Sequence, residues 1–296
     1  MGSWLQIFLT SLLILGTQHP IVGQEWKLVK GTMLCGIGGI ALISHTGKQT
    51  QYIAVHDAKQ PGERRLAIIT DETGKTPIYE SIAWPDSNPP IDAEAISAIP
   101  GMENDFVVMA SGGKLFHMIF DPQSKTVRVI HTFFLPSIPP GSNFEGFSLR
   151  NINGILLAVW AHRGQGAEPA RLFWSIFDPS NYTFTSIRSD TLMVPWPKKG
   201  VRHVADLKVG PLGVLYIVAS SDLGNNGPFE SAFYVAGDFR AWNKEILFRK
   251  NHVMYRIMQF YDHKIEAIEF VPGPGGGIVF GSDDENLGGS IYSTWQ

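Results

Sequence analysis

Three glutamates, Glu94, Glu145 and Glu266, share one local setting, in "DAEAI", "FEGF" and "KIEAI". Each lies two residues before an apolar anchor, at Ile96, Phe147 and Ile268. Carboxylates gathered at one place repel one another and raise one another's pKa unless something neutralises them. A hard cation would do so, and oxygen donors favour Ca²⁺ or Mg²⁺. Paired Lys or Arg would also serve; Arg163, Lys199 and Arg202 are nearest by repeat position. A third use is a carboxylate pair that cleaves a glycosidic bond, one acting as acid and the other as nucleophile or base. Asp206 stands one residue off the register, with Ala205 in the matching place, and completes the expected metal-ligand set of Glu94, Glu145, Glu266 and Asp206. Gly38 holds the matching place before Ile40. His162 and His263 are acid–base candidates if they face the same space. Asp283 and Asp284, in "GSDDENLGG", are the remaining catalytic candidates. Their spacing is not that of an EF-hand loop.

The elements that would position these residues come from a repeat. The anchors Ile40, Ile96, Phe147, Leu207 and Ile268 recur at intervals of about 50–60 residues, the scale of a propeller blade. Around each anchor the order of parts is the same. A short apolar strand leads through a Gly- or Asn-containing turn to a stronger one such as "FVVMA", "ILLAVWA" or "VLYIVAS". A polar loop and an aromatic strand such as "LFHMIFD" or "LFWSIFD" follow. The first four repeats add a fourth strand, "PIYESIAW", "TVRVIHTFF", "YTFTSIRSDTL" and "KEILFRK", whereas the fifth stops at "SIYSTW". An open sheet edge there would invite aberrant pairing. "EWKLVKG", ahead of the first repeat, is the strand that fills the gap. The pattern predicts an all-β chain, a five-bladed β-propeller rather than a six-bladed one, with its N-terminal strand closing the last blade. In that fold the start of each inner strand and the loop between strands two and three share one face. Glu94, Glu145 and Glu266 are therefore expected at one channel mouth.

Composition agrees. With 44% hydrophobic residues, 17% charged, 31 Gly and 19 Pro, the chain suits short strands and tight turns. A formal charge of −3 and the absence of a basic run argue against nucleic-acid binding. Residues 1–23, apolar from Trp4 to Gly16, read as a secretory signal peptide, followed by one propeller domain over 24–296. The expected product is an extracytoplasmic monomer, periplasmic or secreted, with no membrane span after cleavage. Cys35 is the only cysteine, so no internal disulfide can form. No G-x-S-x-G elbow, H-E-x-x-H, P-loop or dinucleotide fingerprint is present.

The acidic residue opening the inner strands and the terminal "GSDDENLGG" resemble the phytase-like, or esterase-like, propeller domains of secreted bacterial proteins. The resemblance implies a propeller with an acidic mouth holding Ca²⁺ through Glu94, Glu145 and Glu266. Three functions follow: a divalent-cation-dependent ester or phosphoester hydrolase, a non-catalytic ligand- or protein-binding propeller, and a glycoside hydrolase using a carboxylate pair. The ligand in each enzymatic case is a small molecule, a glycan or a phosphoester. Phosphate chemistry would also need several Lys or Arg on this face, and the sequence offers few there.

Overall fold

The computed structural model describes residues 24–30, 36–274 and 276–294. The expected signal peptide and Cys35 lie outside them. The described residues form five four-stranded antiparallel sheets. The sheets are set in a ring as a β-propeller, with no α-helix among the described residues. No helix there is long and apolar enough to cross a membrane.

The first strand, β1 (Lys27–Lys30), belongs to the last blade. Blade 1 is β2 (Gly39–His45), β3 (Gln49–Val55), β4 (Leu66–Glu72) and β5 (Ile78–Ile82). Blade 2 is β6 (Ala93–Ala98), β7 (Asp105–Ala110), β8 (Lys114–Asp121) and β9 (Thr126–Phe134). Blade 3 is β10 (Phe144–Ile152), β11 (Ile155–His162), β12 (Ala170–Asp178) and β13 (Thr183–Leu192). Blade 4 is β14 (Val201–Val209), β15 (Val214–Ser221), β16 (Glu230–Trp242) and β17 (Glu245–Tyr261). Blade 5 is β18 (Ile265–Val271), β19 (Gly277–Ser282) and β20 (Gly289–Ser293), and β1 pairs antiparallel with β20 as its outer strand.

The inner and middle strands read as near-continuous apolar runs because a neighbouring blade covers each of their faces. Between blades 3 and 4, for instance, Leu157, Val159, Leu172 and Trp174 pack with Leu207, Ile217, Tyr234 and Phe239. The outer strands, covered on less of their surface, alternate or turn polar, as β13 does. The last outer strand of blade 4 departs from the sequence reading. It is not the short "KEILFRK" but the 17-residue β17. A two-residue turn at Asn243 and Lys244, both at positive φ, joins it to β16, and a bulge at residues 251–254 interrupts the pairing. The residues between "KEILFRK" and the fifth repeat, "NHVMYRIMQFY", are thus strand rather than a long insertion.

Ring closure is tied from three directions. Trp26 stacks on His263 at 4.0 Å between ring centroids. Asp71 of blade 1 bonds Lys27 Nζ of β1 at 2.9 Å and accepts from Ser293 Oγ of β20 at 3.1 Å. Across the axis, the buried Lys208 of β14 donates to Ile96 O of β6 at 2.7 Å and to Ile40 O of β2 at 3.3 Å, and pairs with Glu269 of β18 at 3.3 Å. One ammonium from blade 4 therefore spans to blades 1, 2 and 5 and stoppers the channel.

Candidate functional site at one mouth of the channel

The three glutamates do converge, and a backbone device brings them there. The ladder between β6 and β7 shifts register between Ala93 and Ala95, leaving Glu94 as an extra residue. The same shift isolates Glu145 between Phe144 and Gly146, and Glu266 between Ile265 and Ala267. A β-bulge re-aims the side chain it carries. Three bulges at equivalent places turn three carboxylates toward one another at the start of the inner strands. All are buried: Glu94 is 6% exposed, Glu145 1% and Glu266 2%.

Their environments differ. Arg202 Nη1 bonds Glu266 Oε1 at 2.7 Å, while its Nη2 bonds Asp222 Oδ2 at 2.6 Å. Lys264 Nζ lies 3.2 Å from Glu266 Oε1 and also pairs with Glu285. Arg163 Nη1 bonds Glu145 Oε1 at 2.9 Å. Burial raises the Glu145 pKa against the pull of Arg202 and Arg163, and its Oε2 has no hydrogen-bond partner among the described residues. Burial would raise Asp222 too, but Arg202 beside it holds its carboxyl below the usual range.

Glu94 has no ion-pair or hydrogen-bond partner among the described residues. Burial, with Glu145 and Glu266 nearby, pushes its carboxyl well above the ordinary value. Asp283 is raised likewise, by burial and then by Glu266, with Lys264 opposing. Asp57 is raised by burial, against the pull of Lys59. Lys59 reaches Asp57 at 3.3 Å and Asp92 at 3.0 Å.

Blade 1 supplies a gap where blades 2, 3 and 5 supply glutamate. A Cβ at Gly38 would stand 3.0 Å from Ala93 O, 3.7 Å from Glu94 Oε2 and 3.8 Å from Asp57 N. A Cβ at Gly36 would strike the Asp283 carboxylate at 2.0 Å. The two glycines let neighbouring carboxyls fold against bare backbone. His56 fixes that backbone: its Nδ1–H donates to Gly36 O at 2.6 Å and its Nε2 accepts from Tyr79 Oη at 3.0 Å. Burial depresses the His56 pKa to about 4, which keeps the ring neutral in this arrangement.

The other expected residues fall elsewhere or are already engaged. Asp206 does not join the three glutamates. Its Oδ1 accepts from Leu207 N at 2.7 Å and its Oδ2 from Ile268 N at 2.8 Å, and burial pushes it up to about 8. Its side chain lies with Lys208, on the stoppered side. Asp284 accepts from Lys264 N at 2.8 Å and Ser282 Oγ at 2.8 Å, and meets His263 Nδ1 at 2.7 Å. His162 borders a separate cavity of about 190 Å³ with Glu168 and Arg171. Lys199 is exposed and does not reach the glutamates, whereas Arg163 and Arg202 do. Lys264 and Lys59 were not singled out from the sequence. Among the described residues no group of three or more His, Cys, Asp or Glu is set to hold a metal ion.

Fold and site together define a five-bladed propeller with bulge-borne glutamates at one mouth, part paired with cations and part not. No protein-family model and no curated protein sequence matches the chain. The fold does have solved counterparts. The α-L-arabinofuranosidase of Podospora anserina, solved in complex with cellotriose, is similar at TM-score 0.51 and 10% identity, over 91% of this chain and 96% of that one. The α-L-arabinanase of Penicillium chrysogenum, complexed with arabinobiose, gives 0.49 and 10%, over 91% and 97%. A thermostable family-43 glycoside hydrolase gives 0.49 and 11%, over 90% and 91%. These are glycoside hydrolases rather than phytases, and the expected phytase-like kinship gains no support from them.

Proposed function

We propose that the mouth is a glycoside-hydrolase centre, with Glu94 as the proton donor and Glu266 as the charged partner. The observation that carries this reading is the divergence of like groups at one place. Glu94 has no cation and holds its proton well above the ordinary carboxyl range, whereas Glu266 stands between Arg202 and Lys264. Carboxyl groups set in unlike surroundings, one beside cations and one without, can divide into acid and base. Glu94 would protonate the leaving oxygen, while Glu266 would take a proton from water or stabilise the developing positive charge. Glu145, tied to Arg163, keeps Arg202 and Glu94 in a fixed field. The ring shared with the arabinofuranosidase supports glycans as the ligand class, by analogy of fold alone.

A divalent-cation-dependent ester or phosphoester hydrolase is the second reading. Glu145 Oε2, without a hydrogen-bond partner among the described residues, and the neighbouring Glu94 carboxyl favour a Ca²⁺ or Mg²⁺ there. Arg202 and Lys264 inside the ring weigh against it, since they already supply the positive charge. A panel of aryl glycosides, oligosaccharides and phosphate esters, assayed with added Ca²⁺ and after chelation, separates the two. Sugar release that survives chelation and is lost in Glu94→Gln supports the first. Phosphate release that needs the cation replaces it with the second.

A further inference from the structure

A bulge disrupts the ladder around it, so the chain entering it must be held by other bonds. At each of the three glutamates that hold falls on the residue two places ahead. Its carbonyl accepts from the loop between the second and third strands every time. Asp92 O takes Ser111 N at 2.9 Å, Asn143 O takes Arg163 N at 3.0 Å, and Lys264 O takes Asp283 N at 2.9 Å. Its N–H meets a different group in each blade. Asp92 N donates to a backbone carbonyl, Ala58 O, at 3.1 Å. Asn143 N donates to His162 Nδ1 at 3.0 Å. Lys264 N donates to Asp284 Oδ1 at 2.8 Å, a carboxylate rather than a neutral acceptor. In blade 5, Ser231 Oγ adds two more ties, donating to His263 O at 2.9 Å and accepting from Ile265 N at 3.0 Å.

Lys264 differs from Asp92 and Asn143 in carrying the ammonium that meets the neighbouring glutamate. Its Nζ lies 3.2 Å from Glu266 Oε1 and also pairs with Glu285. A lysine stem is long and flexible, so where a buried ammonium lands depends on where its backbone is fixed. Asp284, also buried, is itself held from two sides. Its Oδ2 accepts from Ser282 Oγ at 2.8 Å and from His263 Nδ1–H at 2.7 Å. Trp26, just ahead of β1, stacks on the His263 ring, so the ring closure backs the same support. Resting on the glycoside reading, we infer that Asp284 is a positioning residue: it fixes the Lys264 backbone, and through it the ammonium and the bulge that set Glu266 for the reaction. His263, an acid–base candidate in the sequence, acts here by holding Asp284.

The test compares Asp284→Ala, which removes the acceptor, with Asp284→Asn, which keeps an oxygen for Lys264 N. Rates are measured on the best glycoside of the panel and expressed per folded molecule, with circular dichroism as the check. Asp284→Ala should lower kcat by about a hundredfold, as misplacement of a reacting group does, with little change in KM. Asp284→Asn should recover most of that loss. An unchanged kcat in Asp284→Ala, or equal losses in the two variants, overturns the inference and leaves the glycoside reading standing. Should Asp284→Ala fold poorly, His263→Leu approaches from the other side of the carboxylate. It should lower kcat in the same sense but by less, and an unchanged kcat overturns the inference. A crystal structure of Asp284→Asn beside that of Asp284→Ala needs no substrate. The Lys264 ammonium should leave Glu266 in the alanine variant alone, and an ammonium still in place there overturns the inference. No product from the unmodified chain on any sugar overturns the glycoside reading, and the two crystal structures then decide whether Asp284 sets Glu266.

Discussion

The two halves of the channel mouth make opposite use of the same residue type. On blades 3 and 4, Glu145, Asp222 and the cations Arg163 and Arg202 form a network that also reaches Glu266. Around blades 1 and 2 the buried Glu94 has no cation in contact among the described residues, and Asp283 of blade 5 meets Lys264 only at 3.7 Å. Burying a charge without a partner is costly, and such a group keeps its proton instead. The paired half is therefore held together by ion pairs, while in the other half burial favours the protonated carboxyl.

Glu94→Gln breaks the unpaired half most sharply. On the proposed chemistry it lowers turnover by about 10²–10⁴-fold, the usual worth of a positioned acid. Rates on the best substrate of the panel, with circular dichroism to confirm the fold, check it. Next comes Arg202→Met in the paired half. Removing one partner of a buried pair leaves Glu266 and Asp222 under-compensated and should cost about 3–5 kcal/mol of stability, read by urea unfolding. A change below about 1 kcal/mol would show that the network is solvated and that the contrast between the halves is false.

A pH series sharpens the contrast further. Glu94 and Asp283 have raised native pKa values, so the folded chain keeps protons that the unfolded chain has released. Stability from these groups therefore falls as pH rises above the ordinary carboxyl range. Glu94→Gln removes one such group, so its stability relative to the unmodified protein should improve from acid toward neutral pH. A difference that is flat with pH would mean Glu94 titrates normally. The smallest effect belongs to Lys59→Met. Lys59 is largely exposed, and its pairs with Asp57 and Asp92 should contribute about 0–1 kcal/mol, measured by the same unfolding assay.

The ring of five blades and its closing strand were legible because each blade repeats the same order of apolar runs and turns. The shared register of Glu94, Glu145 and Glu266 was legible for the same reason. What turned them into one site was not, because a bulge is a backbone event with no residue signature here. Asp206 shows the limit: one residue off register, after a larger irregularity between Arg202 and Asp206, its carboxylate binds backbone amides instead of joining the others. Lys264 has no counterpart in the other repeats, and Lys59 sits in a loop of variable length, so the pattern gave no reason to choose either. Lys208 looked like an ordinary charged residue in a strand, and only the closed ring shows what its ammonium reaches.

The seam between β1 and β20 has a mechanical consequence. Every other blade is stitched by hairpins within one continuous stretch of chain, but this one is fastened by four residues arriving from the opposite terminus. It is the natural latch of the ring. Tension applied to the N-terminus would peel β1 away before any other strand, with Asp71 as the catch that lets go.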